Sequence, residues 1–205
     1  SIYTKLNVSR GFRAPNIAEL GSNGKHERTL RYEIGNPDLK PETSLQLDWA
    51  VGLNTQHVSA ELNLFDNRVN HYIFSHKLNA VAGGDSLIDD SPVFKFTDGE
   101  ARLYGGEFSI DIHPHPYDWL HFGNTFSYIH AGLSNQPDSM RWLPMIPATR
   151  WTSEIKIDIE KINRVLANTY LKFGIDKNWS QNHFYAAYGT ETRTPGYTLF
   201  NVGAG

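Results

Sequence analysis

The connections between the strands of this chain alternate in length, and that rhythm limits the folds open to it more than any other feature. Alternating apolar and polar residues mark strands near 2–11, 43–53, 57–75, 102–113, 119–130, 149–160, 164–177 and 196–205, an up-and-down series by the period-two rule. Between them Asn54-Thr55-Gln56, the run His113 to Asp118 and Lys161-Ile162-Asn163 are tight turns, whereas 12–42, 76–101, 131–148 and 178–195 are long. Soluble sandwiches scatter their loop lengths. A bacterial outer-membrane barrel sorts them, with short turns on the periplasmic side and long loops outside. The expected fold is therefore all-β: an antiparallel meander of about eight strands, part of a membrane barrel wall, whose long loops meet a ligand.

The strands are strictly two-faced. Leu45, Leu47, Trp49, Val51 and Leu53 share one face, opposite Ser44, Gln46, Asp48, Ala50 and Gly52. Trp151, Ile155, Ile157 and Ile159 oppose Thr152, Glu154, Lys156, Asp158 and Glu160, and Val165, Ala167, Leu171, Phe173 and Ile175 oppose Asn168, Tyr170, Lys172 and Asp176. In lipid the apolar face points outward and the charged face lines a wet lumen; in a soluble sandwich the apolar face points inward. Periodicity alone does not separate the two, but strand length favours lipid, because ordinary strands run to about 5–6 residues and a tilted bilayer crossing needs about 9–11. Trp119 follows a short turn while Trp151 and Trp179 lie beside long loops, the places of two interfacial girdles. Asn124, on the apolar face with Leu120, Phe122 and Phe126, breaks the pattern; a bulge or a protein neighbour would account for it.

Composition excludes several alternatives. Mean hydropathy is -0.46, which does not oppose a barrel whose strands need an apolar residue only at every second position. The chain has no cysteine, so disulfides, thiol catalysis and cysteine-type zinc sites are out, and its net charge of -3 argues against a nucleic-acid partner. It has no Gly-x-Ser-x-Gly elbow, phosphate-binding glycine loop or His-Glu-x-x-His. An enzyme is not expected. The ends read as strands cut from a longer chain, since Ser1 to Gly11 already alternates and Leu199 to Gly205 stops inside an alternating run.

Two runs in the first long connection carry the strongest motif: Gly11-Phe12-Arg13-Ala14-Pro15-Asn16-Ile17-Ala18-Glu19-Leu20 and Gly35-Asn36-Pro37-Asp38-Leu39-Lys40-Pro41-Glu42-Thr43. Pro37 and Pro41 fix φ and restrict the residues before them, Gly35-Asn36 supplies turn chemistry, and Glu42-Thr43 opens a two-faced strand. With Arg102-Leu103-Tyr104-Gly105-Gly106-Glu107, the run Leu143 to Arg150 and Thr194-Pro195-Gly196-Tyr197-Thr198-Leu199, the chain resembles the barrel of TonB-dependent outer-membrane receptors nearly end to end. Arg13, Pro15, Asn36, Pro37, Leu39, Pro41 and Glu42 carry the family motif. The resemblance implies a location in the bacterial outer membrane and a segment of a plugged barrel of about 22 strands. It implies contact with outer-membrane lipid, and coupling to TonB through an N-terminal segment that, with the plug and the final strands, is expected outside residues 1–205. The implied function is active uptake of a scarce nutrient, a metal or metal chelate such as a ferric siderophore, zinc or haem.

Asn23-Gly24-Lys25-His26, the run Tyr32 to Pro37, Asn67 to Phe74 and Pro92 to Phe96 are similar to a subgroup linked to zinc and haem uptake. No cofactor is firmly implied beyond that transported metal. His26, with His71 and His76 near the outer end of a strand, could converge above the lumen where imidazoles suit zinc or haem iron, and Asp85, Asp89 and Asp90 add oxygen ligands on that side; the alternative is that all are solvated loop residues. His113 and His115 of His-Pro-His-Pro sit on a short turn and read as a proline-stiffened turn, and His57, His121 and His130 as turn and strand-surface residues. Gly83-Gly84 suggests a mobile gate in 76–101, or a disordered loop. The competing non-enzymatic class is a soluble β-sandwich binding module of lectin or adhesin type. In isolation the segment is expected to stay open or close imperfectly, and to self-associate through its apolar face and unpaired edges.

Overall fold

The computed structural model describes residues 1–26, 29–138, 140–161, 167–186 and 191–205. One sheet dominates. Its elements are β1 (Ile2–Arg13), α1 (Ile17–Gly21), β2 (Asn23–His26), β3 (Arg31–Ile34), β4 (Glu42–Asn54), β5 (Val58–Lys77), β6 (Leu87–Ile88), β7 (Ser91–Ile112), β8 (Leu120–Leu133), β9 (Arg150–Lys161), β10 (Ala167–Asn178) and β11 (Tyr197–Ala204). The path β1-β4-β5-β7-β8-β9-β10-β11 runs antiparallel throughout and is not closed, β1 and β11 forming its two edges. These eight strands are the expected meander, with β2, β3 and β6 added from the long connections. The expected turn at Lys161-Ile162-Asn163 and the start of the strand after it lie largely outside the described residues.

One boundary differs. β7 begins at Ser91 rather than near 102, so with β5 it makes a hairpin of 20 and 22 residues that projects past its neighbours. Pro92, Asp98 and Gly99 are loop formers by composition, yet pairing with β5 holds Asp98 and Gly99 extended and pairing with β6 holds Pro92. A bulge between Val69 and Tyr72, where His71 adopts φ 55, re-registers the projecting part.

The register puts the apolar residues of successive strands side by side. Leu6 opposes Trp49, Trp49 opposes Leu64, Leu62 opposes Phe108, Phe108 opposes Phe126, and Phe122, Ile155, Phe173 and Val202 form a further row. No layer covers them: Trp49 is 45% exposed, Phe173 45% and Val202 82%. The buried apolar residues lie instead at the long-loop end, where Val69, Ala101, Ala131, Leu133 and Leu143 pack with Tyr72, Phe74, Leu103 and Ile146. A sandwich would bury its strand faces and leave its loops thin; this chain does the reverse, as the wall of a barrel does.

Two indole N–H groups on that face are paired within the sheet. The indole N–H of Trp49 donates to Thr4 Oγ1 at 2.9 Å and that of Trp151 to Asn124 Oδ1 at 3.2 Å. Asn124 is thus the diagonal cross-strand partner of Trp151, in a pair whose register is regular, and no bulge is involved. The other face is wet: Asn7 donates to Asp48 at 3.1 Å, Tyr3 to Glu61, and Lys172 to Glu154 at 3.1 Å, while Arg150 holds Asp176 through two nitrogens.

Candidate functional site

The motif residues of the first long connection meet in a single rivet. Arg13 ends β1 and its register partner Glu42 opens β4. The guanidinium donates to Glu42 from Nε at 2.8 Å and Nη2 at 2.7 Å, and from Nη1 to both oxygens of Glu19 at 3.0 Å. Glu19 also accepts from the Asn16 backbone N–H at 2.7 Å while Asn16 Oδ1 accepts from Glu19 N–H at 2.9 Å, the reciprocal capping box that starts α1 directly after Pro15. Glu42 accepts a further bond from Ile73 N–H, 2.8 Å, tying the bulged strand to the same point. Asn36 N–H bonds the Glu19 carbonyl at 2.8 Å, Asn36 Oδ1 accepts from Asp38 N–H at 3.1 Å, and Leu39, between Pro37 and Pro41, is buried. A Cβ on Gly35 would lie 2.6 Å from backbone atoms of Leu20 and Gly21, so only glycine fits there. The family motif therefore positions the loop. Glu19, absent from the expected site residues, was legible as the third residue after a capping asparagine.

The rivet aims the β2–β3 hairpin at the projecting strands. β3 pairs in parallel with β7 over Val93 to Lys95, where Val93 and Phe94 are buried. Across the mouth, the Tyr185 hydroxyl donates to the Ser75 carbonyl at 3.3 Å, Glu191 accepts from Met145 N–H at 3.0 Å and Tyr185 N–H at 2.9 Å, and the Gln181 amide donates to the carbonyls of Ile146 and Pro147 at 3.0 and 3.2 Å. The third and fourth long connections are thus knitted together. Most of 76–101 is strand; what remains turns at Gly83 and Gly84, both at positive φ, and is closed by Lys77–Asp85 at 2.8 Å.

On the lumenal side of the projecting hairpin lies a recess of about 330 Å3 lined by Asn36, Phe74, His76, Lys95, Thr97 and Gln136 among others. His76 faces Lys95, and Phe74 faces Thr97, across the strand pair. Among the described residues Lys95 has no ion-pair partner. The recess offers a cation, amide and hydroxyl hydrogen-bonding groups, an imidazole and an aromatic wall.

The three expected metal histidines sit on different elements. His26 ends β2 with its Nδ1 3.1 Å from Thr29 Oγ1; His71 occupies the bulge with Nδ1 2.6 Å from Asp98 Oδ2; His76 lines the recess. Of the expected aspartates, Asp85 is paired with Lys77, and Asp89 and Asp90 form the positive-φ turn between β6 and β7. The groups whose ligand atoms all lie within 4.8 Å of one another, among the described residues, are at the opposite end: His57, His115 and Asp118, and Asp111, His113 and His121.

Residues 2–205 match a family model described as TonB dependent receptor-like, beta-barrel. An "Iron-regulated outer membrane virulence protein" of Vibrio cholerae is 28% identical over 136 residues, 62% of this chain and 20% of that protein, so the chain spans about a fifth of this curated relative. Two solved structures share the fold at 16% identity. "Copper transporter OprC" superposes with a TM-score of 0.73 over 99% of this chain and 29% of its own, and a ferric enterobactin receptor (PfeA) from Pseudomonas aeruginosa with 0.64 over 99% and 30%.

Proposed function

Because the chain belongs to the family of TonB-dependent receptor β-barrels, we propose that it forms the part of an outer-membrane uptake receptor in which an anionic metal chelate is first held between the long loops and the lumen. The family is one of receptors rather than enzymes, its place is the outer membrane, and nutrient uptake is the function its members support. The observation that carries the finer reading is the recess at His76, Lys95, Thr97, Asn36 and Phe74. An ammonium with no ion-pair partner among the described residues, beside hydrogen-bonding groups and aromatic rings, suits a ligand that is negatively charged, oxygen-rich and partly planar, which describes a ferric siderophore better than a bare cation. The neighbours named for siderophore and copper uptake agree with a metal cargo. Zinc or haem held by His26, His71 and His76 is the other cargo reading, and of these only His76 lines the recess. Coupling to TonB belongs to the whole receptor, and this segment contributes wall, lumenal surface and mouth.

The test is calorimetric titration of the intact, detergent-purified receptor with a ferric siderophore, haem and zinc, repeated for Lys95→Glu and for the triple change of His26, His71 and His76 to Ala. Replacing one charge-assisted contact worth ~1.5–3 kcal/mol by a repulsive one predicts at least about tenfold weaker siderophore binding in Lys95→Glu. Siderophore affinity unchanged in that variant overturns the recess; zinc or haem binding that vanishes only in the triple variant transfers the function to the histidines.

A further inference from the structure

We infer that the short-turn mouth of the lumen holds a divalent transition-metal site built from Asp111, His113 and His121. This site goes beyond the uptake reading, since it lies at the end of the strands away from the long loops. The β7–β8 connection folds back so that His113 N–H donates to the His57 carbonyl at 2.7 Å, joining it to the β4–β5 turn. That bond, the tight turn around Thr55 and the register of β7 with β8 bring four imidazoles together. The rings of His113 and His121 meet edge to face at 4.4 Å, and those of His57 and His115 lie 5.3 Å apart.

Three features favour a cation over a plain ion-pair cluster. One ligand atom from each of Asp111, His113 and His121 falls within a 4.8 Å group, and all three residues are partly buried, whereas solvated surface carboxylates are free to swing apart. Asp111 Oδ1 is inaccessible to solvent, has no hydrogen-bond partner and lies in ion-pair contact with His113 Nε2, so the oxygen is turned toward the imidazoles rather than toward water, where a shared cation would satisfy it. The carboxylate of Asp158, itself held by Lys156 at 2.8 Å, stands 2.9 Å from His121 Nε2 and orients that ring. Two imidazoles, a carboxylate and an open position match the borderline-soft donor set that zinc takes, and not the all-oxygen cage of calcium or magnesium.

Access is from the lumen. Asp111 shares its strand face with Glu61, Ser109 and Thr125, and the four line an open recess of about 390 Å3. His57, His115 and Asp118 stand beside the site, with His57 Nδ1 buried and without a hydrogen-bond partner, but their ion-pair contacts of 3.9–4.0 Å and greater exposure mark them as the weaker group.

The experiment is zinc titration of the intact receptor in detergent, followed by calorimetry and by the visible spectrum of cobalt(II) substituted for zinc. One equivalent should bind with a tetrahedral or five-coordinate cobalt spectrum, and His113→Asn with His121→Asn should abolish it. The triple alanine change of His26, His71 and His76 should leave it intact. Asp158→Asn, which keeps the ring in place, should weaken zinc by about tenfold or more, and covers the case in which the double variant fails to fold. Absence of zinc binding, binding that survives both short-turn variants, or binding lost only with the long-loop histidines overturns the proposal. Siderophore affinity is read separately, so the uptake reading stands or falls independently.

Discussion

Phe173→Arg in the intact receptor should cost about 2–4 kcal/mol of folding stability, the value for a cationic side chain at the middle of the bilayer on the lipid face of a barrel. The depth follows from the strand. On β10 the outward residues are Thr169, Leu171, Phe173, Ile175 and Lys177, with polar groups only at the two ends. The eight steps from Thr169 to Lys177 span ~26 Å along a strand at ~3.3 Å per residue, or ~20 Å along the membrane normal at a tilt of ~40°. Phe173 therefore lies ~10 Å from either polar flank, and its cross-strand neighbours Ile155 and Val202 offer no partner to a guanidinium. Thr169→Arg, at the edge of the same stripe, should cost only ~0–1 kcal/mol. The assay is denaturant unfolding of the receptor in lipid vesicles followed by tryptophan fluorescence, with both variants measured against the parent. Equal costs at the two positions, or a Phe173→Arg loss below about 1 kcal/mol, would show that this face does not meet hydrocarbon.

Two further outcomes test the framework around the mouth. Arg13→Ala leaves the carboxylates of Glu19 and Glu42, whose side chains are 11% and 13% exposed, without their cation; with Arg13 itself partly solvated, about 2–3 kcal/mol should be lost. Limited proteolysis should then open 14–41 first, and Glu19→Gln with Glu42→Gln should reduce the effect of the arginine change; no rescue would mean that the rivet is not electrostatic. Gly105→Ala places a Cβ 2.2 Å from the Tyr128 carbonyl oxygen and 3.0 Å from Phe65, so the β7–β8 pairing must part; a loss of about 1–3 kcal/mol is expected, and a variant as stable as the parent would refute the close approach.

The meander was legible in the chain because a period of two is a property of consecutive residues: side chains alternate across a strand whatever lies beyond it. Six of the eight wall strands have boundaries close to those read from alternation, β10 ends where expected with its start outside the described residues, and the sorting of loop lengths carried the barrel topology. The first half of β7 was not legible, since Pro92, Asp98 and Gly99 read as loop and pairing with β5 and β6 holds them extended. Nor could periodicity say what covers the apolar face, because it describes a face and not its neighbour; only the folded sheet leaves Trp49, Phe173 and Val202 uncovered by this chain and gathers a core under the loops. The motif residues announced a family by their spacing, whereas the joining of Arg13 to Glu42 across 29 positions depends on strand register. Histidine placement was least legible of all. His57, His113, His115 and His121 are brought together by two turns that are distant in the chain, and distance in space between residues on different strands is set by register and turn geometry, which only the folded sheet possesses.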